Sequence, residues 1–136
     1  MSKKSDLSKI RDKIDSLDKK ILSLLNDRAE LAIQAGKAKE DSIKYKPARE
    51  SSILKRVMDL NEGPLESEQV KYVFNEIISS CRSTESTFTI SYLGPEGTFS
   101  ESALQSQFGK SVDKIPEETI RTIFDSVDRG ESEFGL

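Results

Sequence analysis

The sequence predicts two differently built parts: an all-α unit of three helices over residues 1–88, then an incomplete α/β segment over residues 89–136. Apolar residues at alternating steps of three and four predict the helices. An alternating apolar stretch that ends in a Gly-Pro loop predicts a strand followed by a helix. The balance of charge also differs between the two parts. Residues 1–85 carry 17 Lys and Arg against 15 Asp and Glu, whereas residues 86–136 carry 4 Lys and Arg against 9 Asp and Glu.

Composition excludes several classes of function. The net charge is −3 and the chain has no Trp, so the concentrated positive face of a nucleic-acid-binding protein is missing. The lack of His and the single cysteine, Cys81, exclude a His-based triad, a zinc site and an internal disulfide. The start has no signal-peptide core, and no apolar run is long enough to span a bilayer. We expect a cytoplasmic protein that uses no metal or cofactor and binds neither nucleic acid nor membrane.

The first predicted helix runs from about Ser5 to Lys39. Its apolar face comprises Leu7, Ile10, Ile14, Leu17, Ile21, Leu24, Leu31, Ala35 and Ala38. Ser5 or Asp6 is expected to cap its start. At 1.5 Å per residue the helix is roughly 50 Å long. To bury such a stripe, the helix needs two shorter helices in series or another copy of itself.

Two further helices complete the all-α unit. The second begins at Pro47, which suits a first helical turn, and ends before Gly63 and Pro64. The third runs from about Ser67 to Glu85 and fades in the polar segment RSTEST. Its apolar face comprises Val70, Val73, Phe74, Ile77, Ile78 and Cys81.

After the third helix the pattern changes. TFTISYLGPEG predicts a strand that enters a tight loop, and Thr98 and Glu101 have the spacing of a capping box for the helix SESALQSQFG. We next predict a strand at residues 112–115, a helix from Glu117 to about Arg129, and a final strand in GESEFGL. This order begins an α/β sheet that about 50 residues do not complete. We therefore expect a truncated domain with little order after about residue 88.

Charged residues continue the apolar ridges of all three helices. On the first helix, Arg28 and Lys39 share one ridge and lie roughly 16 Å apart along the axis. Ala32 and Ala35 lie between them, so two long cations border a hollow that suits a small dianion. The charges that extend apolar lines on the other helices are Arg49, Glu50 and Glu85. Because buried charges are costly unless paired, the pattern predicts either ion pairs or a bound ligand.

Each of these charges also has a purely structural explanation. Arg28 alone more often reaches water or pairs with an acid such as Asp18. Lys39 near a helix end and Glu50 in a first turn both favour the helix dipole. With these explanations, the helical unit is a non-catalytic dimerisation module.

The helical part resembles the all-helical class of chorismate mutase, through IRDKIDSLDKKILSLLNDRAELAIQAGKAK, PARE and FNEIISSCRSTE on its three helices. Residues 90–104, ISYLGPEGTFSESAL, and the segment GESEFGL resemble the start of prephenate dehydratase. The resemblance covers nearly the whole chain and points to the bifunctional family that joins the two domains. It implies an intertwined homodimer that converts chorismate to prephenate, toward phenylalanine, with no dehydratase activity in the chain as given. A pyruvate-releasing lyase acting on isochorismate in the same fold is the alternative enzyme, and the dehydratase-like segment disfavours it.

The resemblance also implies roles for individual residues. Arg28 and Arg11 grip the substrate carboxylates. Lys39 bonds the ether oxygen and a carboxylate, and Glu50 accepts from the ring hydroxyl. The other residues implied at the substrate site are Lys46, Arg49, Cys81 and Glu85. Of these, Lys46 stands where the family commonly has an acidic residue, which leaves hydroxyl recognition to Glu50.

Geometry and chemistry sharpen two of these roles. Arg11 and Arg28 are separated by roughly 25 Å of helix rise, too far to hold one small molecule, so Arg11 is expected to act in the partner subunit's site. Catalysis requires a compact reactive conformer, which the arginine contacts supply, and a donor to the ether oxygen, for which we expect Lys39. We therefore expect Lys39, Glu85 and Arg28 to be the catalytic residues. Only a protonated carboxyl donates, so activity is expected to rise as Glu85 takes up a proton.

Overall fold

The protein is described by a computed structural model covering residues 3–38, 46–85 and 89–136. The first two ranges contain three helices, α1 Lys3–Ala38, α2 Pro47–Leu60 and α3 Ser67–Glu85. The last range contains β1 Thr89–Leu93, α4 Phe99–Phe108, β2 Asp113–Glu117, α5 Ile120–Asp128 and β3 Phe134–Gly135. The predicted fold class, an all-α unit followed by a small α/β part, is confirmed.

Helix α1 is one continuous helix of 36 residues whose N-terminal half is open to solvent. It already begins at Lys3, so the predicted cap at Ser5 or Asp6 is wrong, and Asp6 instead favours the dipole from the first turn. Every side chain from Asp6 to Leu24 is exposed. The large apolar side chains of this stretch, 45% to 66% exposed, are Leu7, Ile10, Ile14, Leu17, Ile21, Leu22 and Leu24. Within the described part of the chain, no helix is long and apolar enough to cross a membrane.

Helix α3 is the central element of the helical unit, because it packs against both α1 and α2. The buried apolar residues of the unit are Ile53 on α2 and Val70, Ile78 and Cys81 on α3. Val73 was predicted on the same apolar face, but it is 52% exposed. It lies with Tyr72 and Ile77 along an apolar groove beside α1, which a single copy of the chain leaves open.

The α/β part is a parallel three-stranded sheet in the order β2-β1-β3. Ile90 and Tyr92 of the central strand are fully buried and form a core with Leu104 and Phe108 of α4. Burial raises the pKa of the Tyr92 phenol, because the phenolate would lose its hydration. The expectation of little order after residue 88 is therefore wrong. The buried apolar side chains of the central strand β1 favour pairing with β2 on one side and β3 on the other, and this pairing forms the sheet.

Two helix starts in the α/β part differ from the sequence prediction. Thr98 precedes α4 but makes no capping bond; its hydroxyl donates to the Leu93 carbonyl, and Glu101 accepts from the Gly97 N–H instead. Glu101 also pairs with Lys114 of β2 at 2.6 Å, which draws its carboxylate away from the predicted capping box. Glu117 belongs to β2 and not to α5, because a capping box of Thr119 and Thr122 starts α5 later. In that box, each threonine side chain accepts a hydrogen bond from the backbone N–H of the other threonine.

The two parts of the chain touch along α3. The Asn75 side-chain amide donates to the Ser106 carbonyl at 2.9 Å, and the Lys110 N–H donates to the Glu76 carboxylate at 3.2 Å. Close approach continues at Gly109, where an added Cβ would clash with the Ser79 Cβ. Helix α3 thus serves as a wall for the helical unit and as a support for α4.

Candidate active site

A cavity of about 310 Å³ lies between the three helices of the all-α unit. Helix α1 supplies Arg28 with Ala32 and Ala35 beside it, so the hollow predicted next to this ridge is present. Of the eight residues assigned to the site from the sequence, six line the cavity: Arg28, Lys46, Arg49, Glu50, Cys81 and Glu85. Lys39, the predicted donor to the ether oxygen, lies outside the described residues.

Arg11 is the one predicted site residue of the described ranges that does not line the cavity. It is exposed on the N-terminal half of α1, roughly 25 Å of helix rise from Arg28. One copy of the chain therefore does not bring these two guanidinium groups to one small molecule.

The carboxylate of Glu50 is held by an arginine of the facing helix α3. Arg82 Nε donates to Glu50 Oε2 at 3.0 Å, and Arg82 Nη2 donates to Glu50 Oε1 at 2.8 Å. The side chains are 3% and 15% exposed, respectively. A buried pair of this kind persists because each charge compensates for the lost hydration of the other. The cavity wall at Glu50 is therefore locally neutral.

Three other cations of the cavity lack such a partner. Among residues 3–38, 46–85 and 89–136, no carboxylate forms an ion pair with Arg28, Lys46 or Arg49. The remaining carboxylate in the lining is that of Glu85, so the cavity has an excess of positive charge. This arrangement suits a small molecule that carries more than one carboxylate.

Glu85 of α3 lies against Gly36 of α1 at the cavity. A Cβ added to Gly36 of α1 would lie 3.1 Å from Glu85 Oε2, so the glycine makes room for the carboxyl group. Glu85 Oε2 is buried and has no hydrogen-bond partner among the described residues. A buried polar oxygen without a partner is costly, and a ligand in the cavity is one way to satisfy the carboxyl group.

The cavity shows no sign of nucleophilic or metal chemistry in the part of the chain that is described. Cys81 is a free, buried thiol that forms part of the wall. No cluster of Cys, Asp and Glu side chains that could hold a metal ion occurs in the described ranges. The polar groups of the cavity are suited to binding and orienting a ligand.

Arg82 lines the cavity but was not predicted from the sequence. It belongs to RSTEST, predicted as the polar end of the third helix, yet it is among the most buried residues of α3. The available signal was the one that identified Arg28, a cation in line with an apolar ridge. Arg82 follows Ile78 by four residues, so it continues the buried face of α3.

Comparisons with known proteins match both parts of the chain. Residues 10–86 match the family model of chorismate mutase type II, and residues 90–136 match that of prephenate dehydratase. The bifunctional chorismate mutase/prephenate dehydratase of Stutzerimonas stutzeri is 41% identical, over 100% of this chain and 39% of the relative. The protein of that name from Pseudomonas aeruginosa is 39% identical, over 100% of this chain and 39% of its own length. That from Aquifex aeolicus is 36% identical, over 96% of this chain and 38% of its own length.

The chain spans about two fifths of the length of these curated relatives. The match to residues 10–86 nevertheless covers more than half of the chain and includes α2, α3 and most of α1, the helices that enclose the cavity. Because of this match, the chain belongs to the chorismate mutase type II family.

Proposed function

We propose that the helical unit catalyses the rearrangement of chorismate to prephenate. The observation that carries the proposal is the cavity in which Arg28, Lys46 and Arg49 have no carboxylate partner among the described residues. Chorismate carries two carboxylates, and its rearrangement breaks one C–O bond while one C–C bond forms within the same molecule. Such a reaction depends on a bound conformer that brings the reacting carbons together.

The cations bind the substrate and stabilise the charge that develops on it. Arg28 holds one carboxylate, for which a planar guanidinium offers two parallel hydrogen bonds, and Arg11 of a second copy holds the other. Lys39 donates to the ether oxygen, on which negative charge develops as the C–O bond breaks. A preorganised donor at such an oxygen contributes roughly 100- to 1,000-fold in rate.

The remaining residues of the cavity orient the substrate ring. Glu50 accepts from the ring hydroxyl, and Arg49 and Lys46 add positive charge at the same end of the cavity. Cys81 forms part of the wall on α3. Glu85 is a second donor to the ether oxygen when its carboxyl group is protonated.

The active enzyme is a homodimer in this proposal. The exposed apolar side chains of α1, from Leu7 to Leu24, need a covering surface, and a second copy of the same helix supplies one. The same arrangement carries Arg11 of one copy toward the cavity of the other, which one chain does not achieve.

The match of residues 90–136 to prephenate dehydratase supports a place for this protein in phenylalanine synthesis. In this proposal, the bifunctional protein takes prephenate from the first domain on to dehydration in the second. It acts in the cytoplasm, where the substrates of such a pathway are made.

The test is the loss of the ultraviolet absorbance of chorismate after addition of the purified chain. Lys39→Ala is expected to lower the rate by roughly 100-fold or more, because it removes the donor to the ether oxygen. Lys37→Ala is the matched control, since this lysine is exposed two residues earlier on α1. If the parent and Lys39→Ala consume chorismate equally slowly, the unit is a dimerisation module. Pyruvate as the product, from isochorismate, identifies a lyase instead.

A further inference from the structure

Arg82 connects the candidate active site to the α/β segment. On one side its guanidinium makes two hydrogen bonds to the Glu50 carboxylate. On the other side Arg82 Nη1 donates to the Phe108 carbonyl at 3.5 Å, and Arg82 Cζ lies 5.9 Å from the centroid of the Phe108 ring. The Phe108 carbonyl is at the C-terminus of α4, where carbonyls lack helical partners and carry the negative end of the helix dipole. Arg82 is therefore balanced by negative charge from both parts of the chain.

Glu50 shares the cavity with two cations that are proposed to bind substrate. If Arg82 is removed, the Glu50 carboxylate is attracted to Arg28 and Arg49, because opposite charges interact strongly in a partly buried site. An ion pair with Arg28 would occupy the group needed for a substrate carboxylate, and an ion pair with Arg49 would remove positive charge from the cavity. The bidentate bond from Arg82 prevents this rearrangement, since it engages both oxygens of Glu50.

Phe108 is well anchored in turn. It is 7% exposed and belongs to the core of the α/β segment with Ile90, Tyr92 and Leu104. Its ring also lies 6.3 Å, centroid to centroid, from that of Phe134 on β3. A residue with these contacts presents a fixed surface to the Arg82 guanidinium.

We propose that Arg82 is a positioning residue for the mutase reaction, which fixes the Glu50 carboxylate in the cavity wall and keeps it from pairing with the substrate-binding arginines. Phe108 of the α/β segment holds Arg82 in that position. The inference rests on the proposed chorismate mutase function and extends it, because a residue of the second segment then supports the geometry of the first site.

The first test is Arg82→Met, which keeps the apolar stem of the side chain and removes the guanidinium. The KM for chorismate is expected to rise and kcat/KM to fall by roughly 10- to 100-fold, as for the loss of hydrogen bonds to a charged group. Arg56→Met is the matched control, because Arg56 is exposed on α2 and does not line the cavity. Arg82→Lys restores the charge but not the bidentate geometry and is expected to recover part of the loss.

A double substitution distinguishes positioning from a general structural role. If Arg82 acts through Glu50, Arg82→Met lowers kcat/KM much less in a Glu50→Gln protein than in the parent, because the group that it positions is already changed. If the two effects multiply, the positioning role is overturned. Urea unfolding of all four proteins, followed by circular dichroism, separates lost stability from lost affinity for chorismate.

The role of the second segment is tested at Phe108. Phe108→Leu removes the ring beside the guanidinium and is expected to raise the KM for chorismate by roughly 3- to 10-fold. Leu104→Val changes the same core at a residue that is not part of the Arg82 contact, and it is expected to leave KM unchanged. Equal effects of the two substitutions on KM would overturn the part assigned to Phe108.

The outcomes separate this inference from the proposed function. A parent chain that does not consume chorismate contradicts the proposed function itself. An active parent whose kcat/KM is unchanged by Arg82→Met contradicts the positioning role alone.

Discussion

Glu85 is a cavity residue whose contribution to the proposed reaction depends on whether its side chain can donate a hydrogen bond. Its Oε2 is buried against Gly36 and has no hydrogen-bond partner in the described part of the chain. A carboxylate accepts hydrogen bonds but does not donate them, whereas a carboxylic acid or an amide does donate. In the proposed reaction, the developing negative charge on the ether oxygen needs a donor, which an amide at this position would supply and a carboxylate would not.

The substitution Glu85→Gln is therefore expected to raise kcat. An amide donates a hydrogen bond where a carboxylate does not, and a donor to the ether oxygen contributes roughly 100- to 1,000-fold in rate. The measurement is kcat for chorismate of the parent and of the variant in the same buffer.

Glu68→Gln serves as the control for that experiment, because Glu68 is an exposed carboxylate on the same helix, remote from the cavity. It is expected to retain the kcat of the parent. A Glu85→Gln enzyme with the kcat of the parent would show that position 85 does not supply a donor to the ether oxygen.

Helix α3 and helix α4 meet at a glycine that is needed for two separate reasons. Gly109 has φ 78°, in the left-handed region that favours glycine, and a Cβ added to it would clash with the Ser79 side chain. Asn75 and Glu76 make hydrogen bonds to the same end of α4. The junction between the helical unit and the α/β segment therefore depends on close approach at this position.

Gly109→Ala is expected to destabilise the protein through both effects. The positive φ costs about 1 to 2 kcal/mol for a non-glycine residue, and the contact with the Ser79 Cβ adds to it. Gly97→Ala is the matched control, because Gly97 has φ 81° but no heavy atom within 4 Å of an added Cβ. Urea unfolding should show the larger loss for Gly109→Ala, and equal losses would mean that the contact with Ser79 contributes nothing.

Helix α4 and strand β2 are joined by the ion pair of Glu101 and Lys114. The hydrogen bond from Lys114 and that from the Gly97 N–H lower the pKa of Glu101 from its ordinary value. The folded chain therefore binds the Glu101 proton less tightly than the unfolded chain does. This stabilisation is present above the ordinary glutamate pKa and is lost as the pH falls through the lowered value.

Glu101→Gln is expected to destabilise the chain at neutral pH and to have a shrinking effect as the pH is lowered below about 4.5. The measurement is the urea midpoint of the parent and the variant across that range. Glu118→Gln, at an exposed glutamate of the same segment, should give a small and uniform difference. A Glu101→Gln effect that persists undiminished in acid contradicts the assigned cause.

At the level of the whole molecule, the cavity of one chain is incomplete in the proposed mechanism. Arg28 lines it, whereas Arg11 lies on the exposed half of the same long helix. The open apolar groove beside α1, about 740 Å³ and lined in part by Leu22, Leu25 and Val73, continues the exposed stripe of that helix. These surfaces are consistent with a second copy that covers them and supplies Arg11.

Mixing two inactive variants tests that arrangement. Arg11→Ala and Arg28→Ala chains, unfolded together and refolded as a mixture, form heterodimers in which one site has both arginines and the other has neither. Random assortment then restores about a quarter of the parent activity, while each variant alone stays inactive. Recovery no greater than the sum of the two separate variants would contradict an Arg11 contribution across subunits. Mixing Arg11→Ala with Arg11→Asn provides the control that cannot recover.

Much of the architecture followed from local sequence patterns. The start of α2 at Pro47 and the extent of α3 from Ser67 to Glu85 agree with the prediction, because helical periodicity and turn residues act over a few neighbours. The ridge of Arg28, Ala32 and Ala35 was recognisable for the same reason. Capping at Thr98 was predicted wrongly, since a distant lysine on β2 competes for Glu101.

The sequence alone was sufficient for the helices and the change to an α/β pattern, since these depend on spacing along one element. Spacing together with the family resemblance also predicted most charged residues of the cavity. Tertiary packing settled which charges are paired. Arg82 lies 32 residues after Glu50, and no local pattern relates the two, yet the approach of α2 to α3 joins them and leaves Arg28 and Arg49 without a described carboxylate partner. Ion pairing depends on distances across elements, and only the packed fold sets those distances.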